Sequence, residues 1–118
     1  MSLIPRRPDE GPAQIFRKST SLGATRPVMI AHRCGSGVGP ENTCGAVVQS
    51  SFFRPDFYEI DIRHTSDGVP VCIHDATLER TTDLSGFVSE KTWTNLQVAD
   101  AGSWFGSTFR DEPIPPSG

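Results

Sequence analysis

An α/β domain is the fold class that this 118-residue sequence predicts. Strand-like and helix-like segments alternate along the chain, and the hydrophobic period switches with them. The length allows one small domain at most.

The first 26 residues read as a disordered or extended tail, with three prolines, charge and no sustained periodicity. Asp9, Glu10 and the prolines interrupt any amphipathic membrane-surface helix. Val28-Met29-Ile30-Ala31, after Pro27, is a short buried strand. Arg33 to Pro40 holds Gly35, Gly37 and Gly39 and is a loop. Pro40-Glu41-Asn42-Thr43 is a helix start in which Asn42 or Thr43 caps free N–H groups. That helix is expected to reach about Phe53, with Val47, Val48, Ser51 and Phe52 on one face, and to end at Pro55.

Phe57 to Thr65 alternates: Tyr58, Ile60 and Ile62 face one way, Glu59, Asp61 and Arg63 the other. Asp67-Gly68 is a turn signal, and Val69 to His74 is a second β run. A polar stretch from Asp75 to Glu90 follows. Thr92 to Ala99 predicts a short helix with Trp93 and Leu96 inward, and the proline-rich end is irregular.

Charge is unevenly placed. Residues 1–27 carry five Arg/Lys and two acids, net +3, and residues 28–118 carry six Arg/Lys and twelve acids, net −6. An acidic body argues against nucleic acid as a partner and suits recruitment of a divalent cation. No run of about 18 apolar residues exists, so no transmembrane segment is expected. The N-terminus lacks the apolar stretch of a signal peptide. Cys34, Cys44 and Cys72 are odd in number and show no zinc-like spacing. Free thiols and a cytoplasmic, reducing location are therefore expected.

Glu59 and Asp61 are two positions apart on a strand, so their carboxylates point together, roughly 6.5–7 Å apart along it. Such a pair can share Ca²⁺ or Mg²⁺, or be a solvated strand face. If Asp67-Gly68 makes a two-residue hairpin, Asp61 lies opposite His74. If the strands are instead parallel neighbours ending at one rim, His74 again sits near both acids. His32 closes a strand and enters a glycine-rich loop, where it can move a proton near neutral pH. Arg33 can bind a phosphoryl oxygen bidentately. Together these groups are the parts of a metal-assisted phosphoester hydrolase.

His64 serves as a control: its parity puts it with Tyr58, Ile60 and Ile62, as a surface or packing residue. Cys72 reads as a small core residue. Glu41 and Asn42, where the loop becomes a helix, suit capping better than phosphate binding.

Six ordered motifs carry a family resemblance. They are Val28-Met29-Ile30-Ala31-His32-Arg33, Gly35 to Thr43 with Pro40-Glu41-Asn42-Thr43, Glu59-Ile60-Asp61-Ile62, Asp67 to Val71 with Ile73-His74-Asp75, Thr77-Leu78-Glu79-Arg80-Thr81-Thr82, and Asp100-Ala101-Gly102-Ser103-Trp104-Phe105. In this order they resemble the glycerophosphodiester phosphodiesterases from residue 28 to about 115. The resemblance implies a TIM-type (β/α)₈ barrel of the phospholipase-C-like phosphodiesterase group. It implies hydrolysis of glycerophosphodiesters to glycerol 3-phosphate and an alcohol. It implies His32 and His74 as general base and acid, Arg33 on the phosphate, and Glu59 and Asp61 holding Ca²⁺ or Mg²⁺.

The sequence departs from the family pattern at Cys34, where a glycine is usual, at Cys44-Gly45, and at Pro115-Pro116-Ser117-Gly118. A barrel of this type takes about 250 residues. The expectation is therefore residues 27–118 as the N-terminal part of the domain, truncated after about three strands. The third metal carboxylate would lie on a later strand. Little activity is expected alone, and the missing part of the barrel or a second chain is the expected partner besides a small-molecule substrate. A non-catalytic relic or interaction module is the second reading, and a related phosphodiesterase acting on sphingomyelin or lysophospholipid the third.

Overall fold

A computed structural model describes residues 13–17, as backbone, and residues 27–117. Strand β1 is Ala13–Arg17 and strand β2 is Ile30–Ala31. Helix α1 is Cys44–Ser51, and strands β3 and β4 are Phe57–His64 and Pro70–Cys72. A one-turn helix, α2, is Trp93–Leu96.

β3 is the centre of the sheet. It pairs in parallel with β2 (Ile30 beside Phe57, Ala31 beside Tyr58). α1 lies between these two strands in the chain, so β2, α1 and β3 form a βαβ unit. On β3's other side β1 runs antiparallel, Ala13 beside Asp61 through Arg17 beside Phe57. Residues 13–17, part of the segment read as a disordered or extended tail, are extended in this strand. Every backbone N–H and C=O on the flank of β3 needs a partner, and β1 supplies it. The rest of that tail lies outside the described residues.

The Val69–His74 run pairs antiparallel with β3, the hairpin rather than the parallel one of the two arrangements the sequence left open, so among the described residues only β2 and β3 run parallel. Its register is one residue away from the expected hairpin. Ile62 faces Cys72 and His64 faces Pro70, and the N–H of Ile73 donates to the carbonyl of Asp61 at 3.0 Å. The reason is the turn: it spans Thr65 to Val69, closed by Thr65 N–H to the Val69 carbonyl (3.0 Å) and by the Thr65 hydroxyl oxygen accepting from Val69 N–H (2.9 Å). His74 thus stands beyond the ladder, where Arg63 Nε donates to its carbonyl at 2.8 Å.

α1 starts as expected. Thr43 has extended dihedrals, and its hydroxyl accepts from Ala46 N–H at 3.2 Å. The buried face differs from the expected one. Ala46 and Ser50 are buried, whereas Val48 and Phe52 are 57% and 77% exposed. The small residues win because the helix sits hard against the turn after β2. A Cβ at Gly35 (φ 110°) would lie 2.5 Å from the Cβ of Ser50. The Ser50 hydroxyl donates to the Cys34 carbonyl at 2.8 Å in the same contact. Gly45, a poor helix former, is explained by the approach of Glu112, whose carboxylate accepts its N–H at 2.6 Å.

Two apolar clusters form. The larger joins Val71, Ile73, Leu78, Val88, Leu96, Ala99, Ala101 and Ile114, with Trp93 packed against it. The inward places of Leu96 and Trp93 follow the sequence reading, although α2 is shorter than expected. The smaller cluster is Cys34, Ala46 and Ile60, with Val47, Ile62 and Cys72 against it. The proline-rich end lies along β4: Cys72 N–H donates to the Pro115 carbonyl and Ser117 N–H to the Pro70 carbonyl, both at 2.9 Å. Among the described residues no helix is long and apolar enough to cross a membrane.

Candidate active site

The chain turns sharply as soon as β2 ends. Arg33 and Cys34 both have left-handed dihedrals (φ 50° and 63°), and Gly35 completes the turn. Such dihedrals cost energy in non-glycine residues and gather at functional positions. The Arg33 carbonyl is pinned by Asn42 N–H at 2.8 Å. The turn explains why a glycine suits position 34, and why Cys34, once there, is buried against Ala46 and Ile60.

Arg33 is the meeting point of the predicted residues. Its NH2 lies 3.0 Å from His74 Nε2, its Nε 4.0 Å from Asp61 Oδ2, and its NH1 3.4 Å from Glu41 Oε2. His32 Nε2 lies 3.7 Å from Glu59 Oε1. The structure therefore brings His32, Arg33, Glu59, Asp61 and His74 into one region. His64 is exposed, the surface alternative of its sequence reading.

Glu59 and Asp61 are buried, 3% and 0% exposed. Asp61 is braced by Asn42, whose Nδ2 donates to Asp61 Oδ2 and whose Oδ1 accepts the Asp61 N–H, both at 3.1 Å. Two hard oxygen donors of this kind match the ligand preference of Ca²⁺ or Mg²⁺. Yet among the described residues no group of three or more His, Cys, Asp or Glu is placed to hold a metal ion. The donor type fits a divalent cation, and the donor number requires further oxygens.

Four side chains were given no part in the site by the sequence reading: Glu41 and Asn42, read as caps, and Asp75 and Arg80. Glu41 and Asn42 are not caps: Thr43 caps α1, Asn42 holds Asp61, and Glu41 accepts from Arg80 NH1 and NH2 at 3.1 and 2.8 Å. Arg80 also donates from Nε and NH2 to Asp75 Oδ2 and Oδ1 at 2.8 and 3.0 Å. Asp75 Oδ1 is 2.7 Å from His74 Nδ1. The signal lay in the motif Thr77 to Thr82. An arginine between two acid-bearing segments marks a pairing that one-dimensional spacing does not reveal.

The electrostatics follow from these contacts. The hydrogen bonds from Arg80, and then the contact with His74, hold the Asp75 carboxyl down to about 2 from an ordinary 3.8, against burial, which opposes the shift. Asp75 and Glu41 in turn raise Arg80. Burial first, and then the neighbouring thiols and carboxylates, push Cys34 up to about 12 from 9.0. Burial does the same to Cys72, to about 11. Thiols in that state are poor nucleophiles. All three cysteines are free.

Comparison with known proteins matches residues 32–117 to the model of the glycerophosphoryl diester phosphodiesterase family. A glycerophosphodiester phosphodiesterase of Bacillus subtilis is 34% identical over 104 residues, covering 88% of this chain and 36% of the relative. A crystal structure of a glycerophosphodiester phosphodiesterase from Agrobacterium tumefaciens superposes with a TM-score of 0.75 at 34% identity, covering 77% of this chain and 39% of that one. An Oleispira antarctica phosphodiesterase, solved with the product sn-glycerol-3-phosphate, superposes with a TM-score of 0.73 at 40% identity, covering 76% and 36%. The chain belongs to the glycerophosphoryl diester phosphodiesterase family. The chain spans 36% of the length of the Bacillus relative.

Proposed function

We propose that this chain carries the N-terminal half-site of a centre that hydrolyses glycerophosphodiesters to glycerol 3-phosphate and an alcohol. One observation carries the reading: Arg33 faces His74, Asp61 and Glu41 within 4.0 Å at once, with His32 beside Glu59. The product found in the Oleispira relative is the product this chemistry yields.

Each residue then has a task. Arg33 would leave His74 Nε2 for the phosphodiester's oxygens, which offer a guanidinium two parallel bonds. His74 Nε2 would then be available to carry the proton that the departing alkoxide needs. His32, at 37% side-chain exposure, faces solvent more than His74 and is suited to remove a proton from the attacking hydroxyl. Glu59 and Asp61 would hold Ca²⁺ or Mg²⁺, with additional oxygens from outside the described residues. When bound, such an ion polarises phosphoryl oxygens and lowers the pKa of a hydroxyl.

Among the described residues no group of three or more His, Cys, Asp or Glu is placed to hold a metal ion, which supports the further reading that the 118-residue chain by itself turns over little substrate. The remainder of a barrel, or a second chain, would complete the site. A non-catalytic binding module uses the same residues, and cation titration separates the two readings.

The test is calorimetric titration with Ca²⁺ and with Mg²⁺, for the unaltered chain and for Glu59→Ala. Measurable binding that is lost in Glu59→Ala is expected. Equal binding in both would remove the metal centre from the reading. Binding of sn-glycerol 3-phosphate should likewise depend on Arg33, and Arg33→Met should abolish it. Profiling glycerophosphocholine against sphingomyelin and lysophospholipid decides the substrate class.

A further inference from the structure

Five side chains of the site close into a ring. Arg33 contacts Glu41 (3.4 Å), Glu41 takes two bonds from Arg80 (2.8 and 3.1 Å), and Arg80 gives two to Asp75 (2.8 and 3.0 Å). Asp75 meets His74 Nδ1 (2.7 Å), and His74 Nε2 meets Arg33 again (3.0 Å). We propose that Arg80 is the positioning residue of this centre: by bonding Asp75 and Glu41 together it sets His74 as the Nδ1–H tautomer and keeps Arg33 within reach of the substrate phosphate. The phosphate clause rests on the functional reading above, and the tautomer clause does not.

The tautomer follows from the donor inventory. A guanidinium only donates, so a His74 Nε2 facing Arg33 NH2 at 3.0 Å must accept. The ring hydrogen of the neutral imidazole then sits on Nδ1 and is donated to Asp75. In water the neutral imidazole favours the other tautomer. The preference here is therefore imposed, and it needs Asp75 fixed in place. Asp75 is 25% exposed in its side chain and would turn to water without a brace. Arg80 is that brace, and the Trp104 ring lies 5.9 Å from its guanidinium carbon on another side.

Charges alternate around the ring: Arg33 and Arg80 are cationic, Glu41 and Asp75 anionic. Glu41 now divides itself between two guanidinium groups, with the shorter bonds to Arg80. Without Arg80, the 3.4 Å contact of Glu41 with Arg33 is the one to strengthen. Arg33 is then drawn off His74 Nε2, and Asp75 is no longer held at His74 Nδ1. A lysine at position 80 would keep the charge. It could not span two carboxylates with a planar fork.

The test reads the imidazole directly, in the 118-residue chain labelled with ¹⁵N-histidine. Long-range ¹H–¹⁵N spectra are taken about two units above the ordinary imidazole value of ~6.5. Exposed His64 provides the solution-like Nε2–H pattern in the same sample. In the unaltered chain the Nδ1–H form of His74 should dominate. In Arg80→Ala and in Arg80→Lys the majority should move to Nε2–H, with the fold checked by circular dichroism. A purely structural arginine would be rescued by lysine. Adding Glu41→Gln to Arg80→Ala should return part of the Nδ1–H signal, because Arg33 is no longer pulled away.

Retention of the Nδ1–H majority in a folded Arg80→Lys chain overturns the proposal, as does an Nε2–H majority in the unaltered chain. Should Arg80→Ala not fold, Arg80→Lys decides alone. None of these spectra needs turnover. A tautomer switch in a chain that binds no glycerol 3-phosphate would sustain the positioning role and defeat the functional reading.

Discussion

The side-chain amide of Asn42 meets Asp61 as a neighbouring strand would. It accepts the Asp61 N–H and donates to the Asp61 carboxylate, both at 3.1 Å. Asn42 is 2% exposed and sits in a left-handed conformation, φ 60°, which asparagine tolerates better than most residues. Replacing it takes one hydrogen bond from a buried carboxylate and another from a buried N–H.

Asn42→Leu should therefore destabilise the chain by roughly 2–4 kcal/mol. Urea unfolding followed by tryptophan fluorescence measures this. A loss below about 1 kcal/mol would mean that Asp61 finds other support.

Gly35→Ala should be nearly as damaging. The backbone at φ 110° resists a Cβ, and the Cβ would land 2.5 Å from that of Ser50, against a helix with nowhere to retreat. A loss of about 2 kcal/mol or more is expected, with α1 detached from the turn. Amide exchange of Ala46 and Val47 would report it, and unchanged protection there would contradict the packing argument.

Much of this arrangement was legible in the sequence because local chemistry decided it. The Thr43 cap, the β3 alternation and the inward place of Leu96 each depend on neighbours within a few residues. The hairpin register did not follow from Asp67-Gly68, because the Thr65 side chain and backbone close a longer turn. The buried face of α1 did not follow from its apolar residues either, because close approach at Gly35 favours Ala46 and Ser50. Strand β1 was invisible for a similar reason: five residues of weak pattern acquire structure only by completing β3. The sequence pointed to a gathering of His32, Arg33, Glu59, Asp61 and His74 by either of two strand arrangements, and of these the two-residue hairpin put His74 one position out of register. Glu41, Asp75 and Arg80 were missed because their bonds bridge 39 and 5 positions, and spacing rules see neither.

Thiol reactivity should follow burial. Iodoacetamide at neutral pH should modify exposed Cys44 first, then Cys72, and Cys34 last. The same burial makes the fold sensitive to alkali. Between an ordinary thiol value of 9.0 and the value of about 12 for folded Cys34, the unfolded chain has released a proton that the folded chain retains. Stability must fall with rising pH across that window. Cys34→Ala should flatten the decline in thermal midpoint, and an unchanged slope would refute it.

Acid should act through Asp75. Its folded value of about 2 lies below the ordinary 3.8, so the unfolded chain binds the proton first as pH drops. The stability Asp75 contributes is present above 3.8 and is lost as pH falls through about 2. Asp75→Asn should lower the melting temperature at neutral pH and reduce its fall under acid. A variant with the full acid slope would exclude Asp75 as the source.

The two apolar clusters give the ring a mechanical meaning. Cys34, Ala46 and Ile60 anchor the segments bearing His32, Arg33, Glu41 and Glu59, whereas Ile73 and Leu78 anchor those bearing His74, Asp75 and Arg80. The ionic circuit is thus a rivet across a seam, and each lobe supplies part of it. An anion seated on Arg33 would open the circuit at His74 and leave Glu41 and Arg80 as the remaining link, so occupancy of the centre would be felt in both clusters at once.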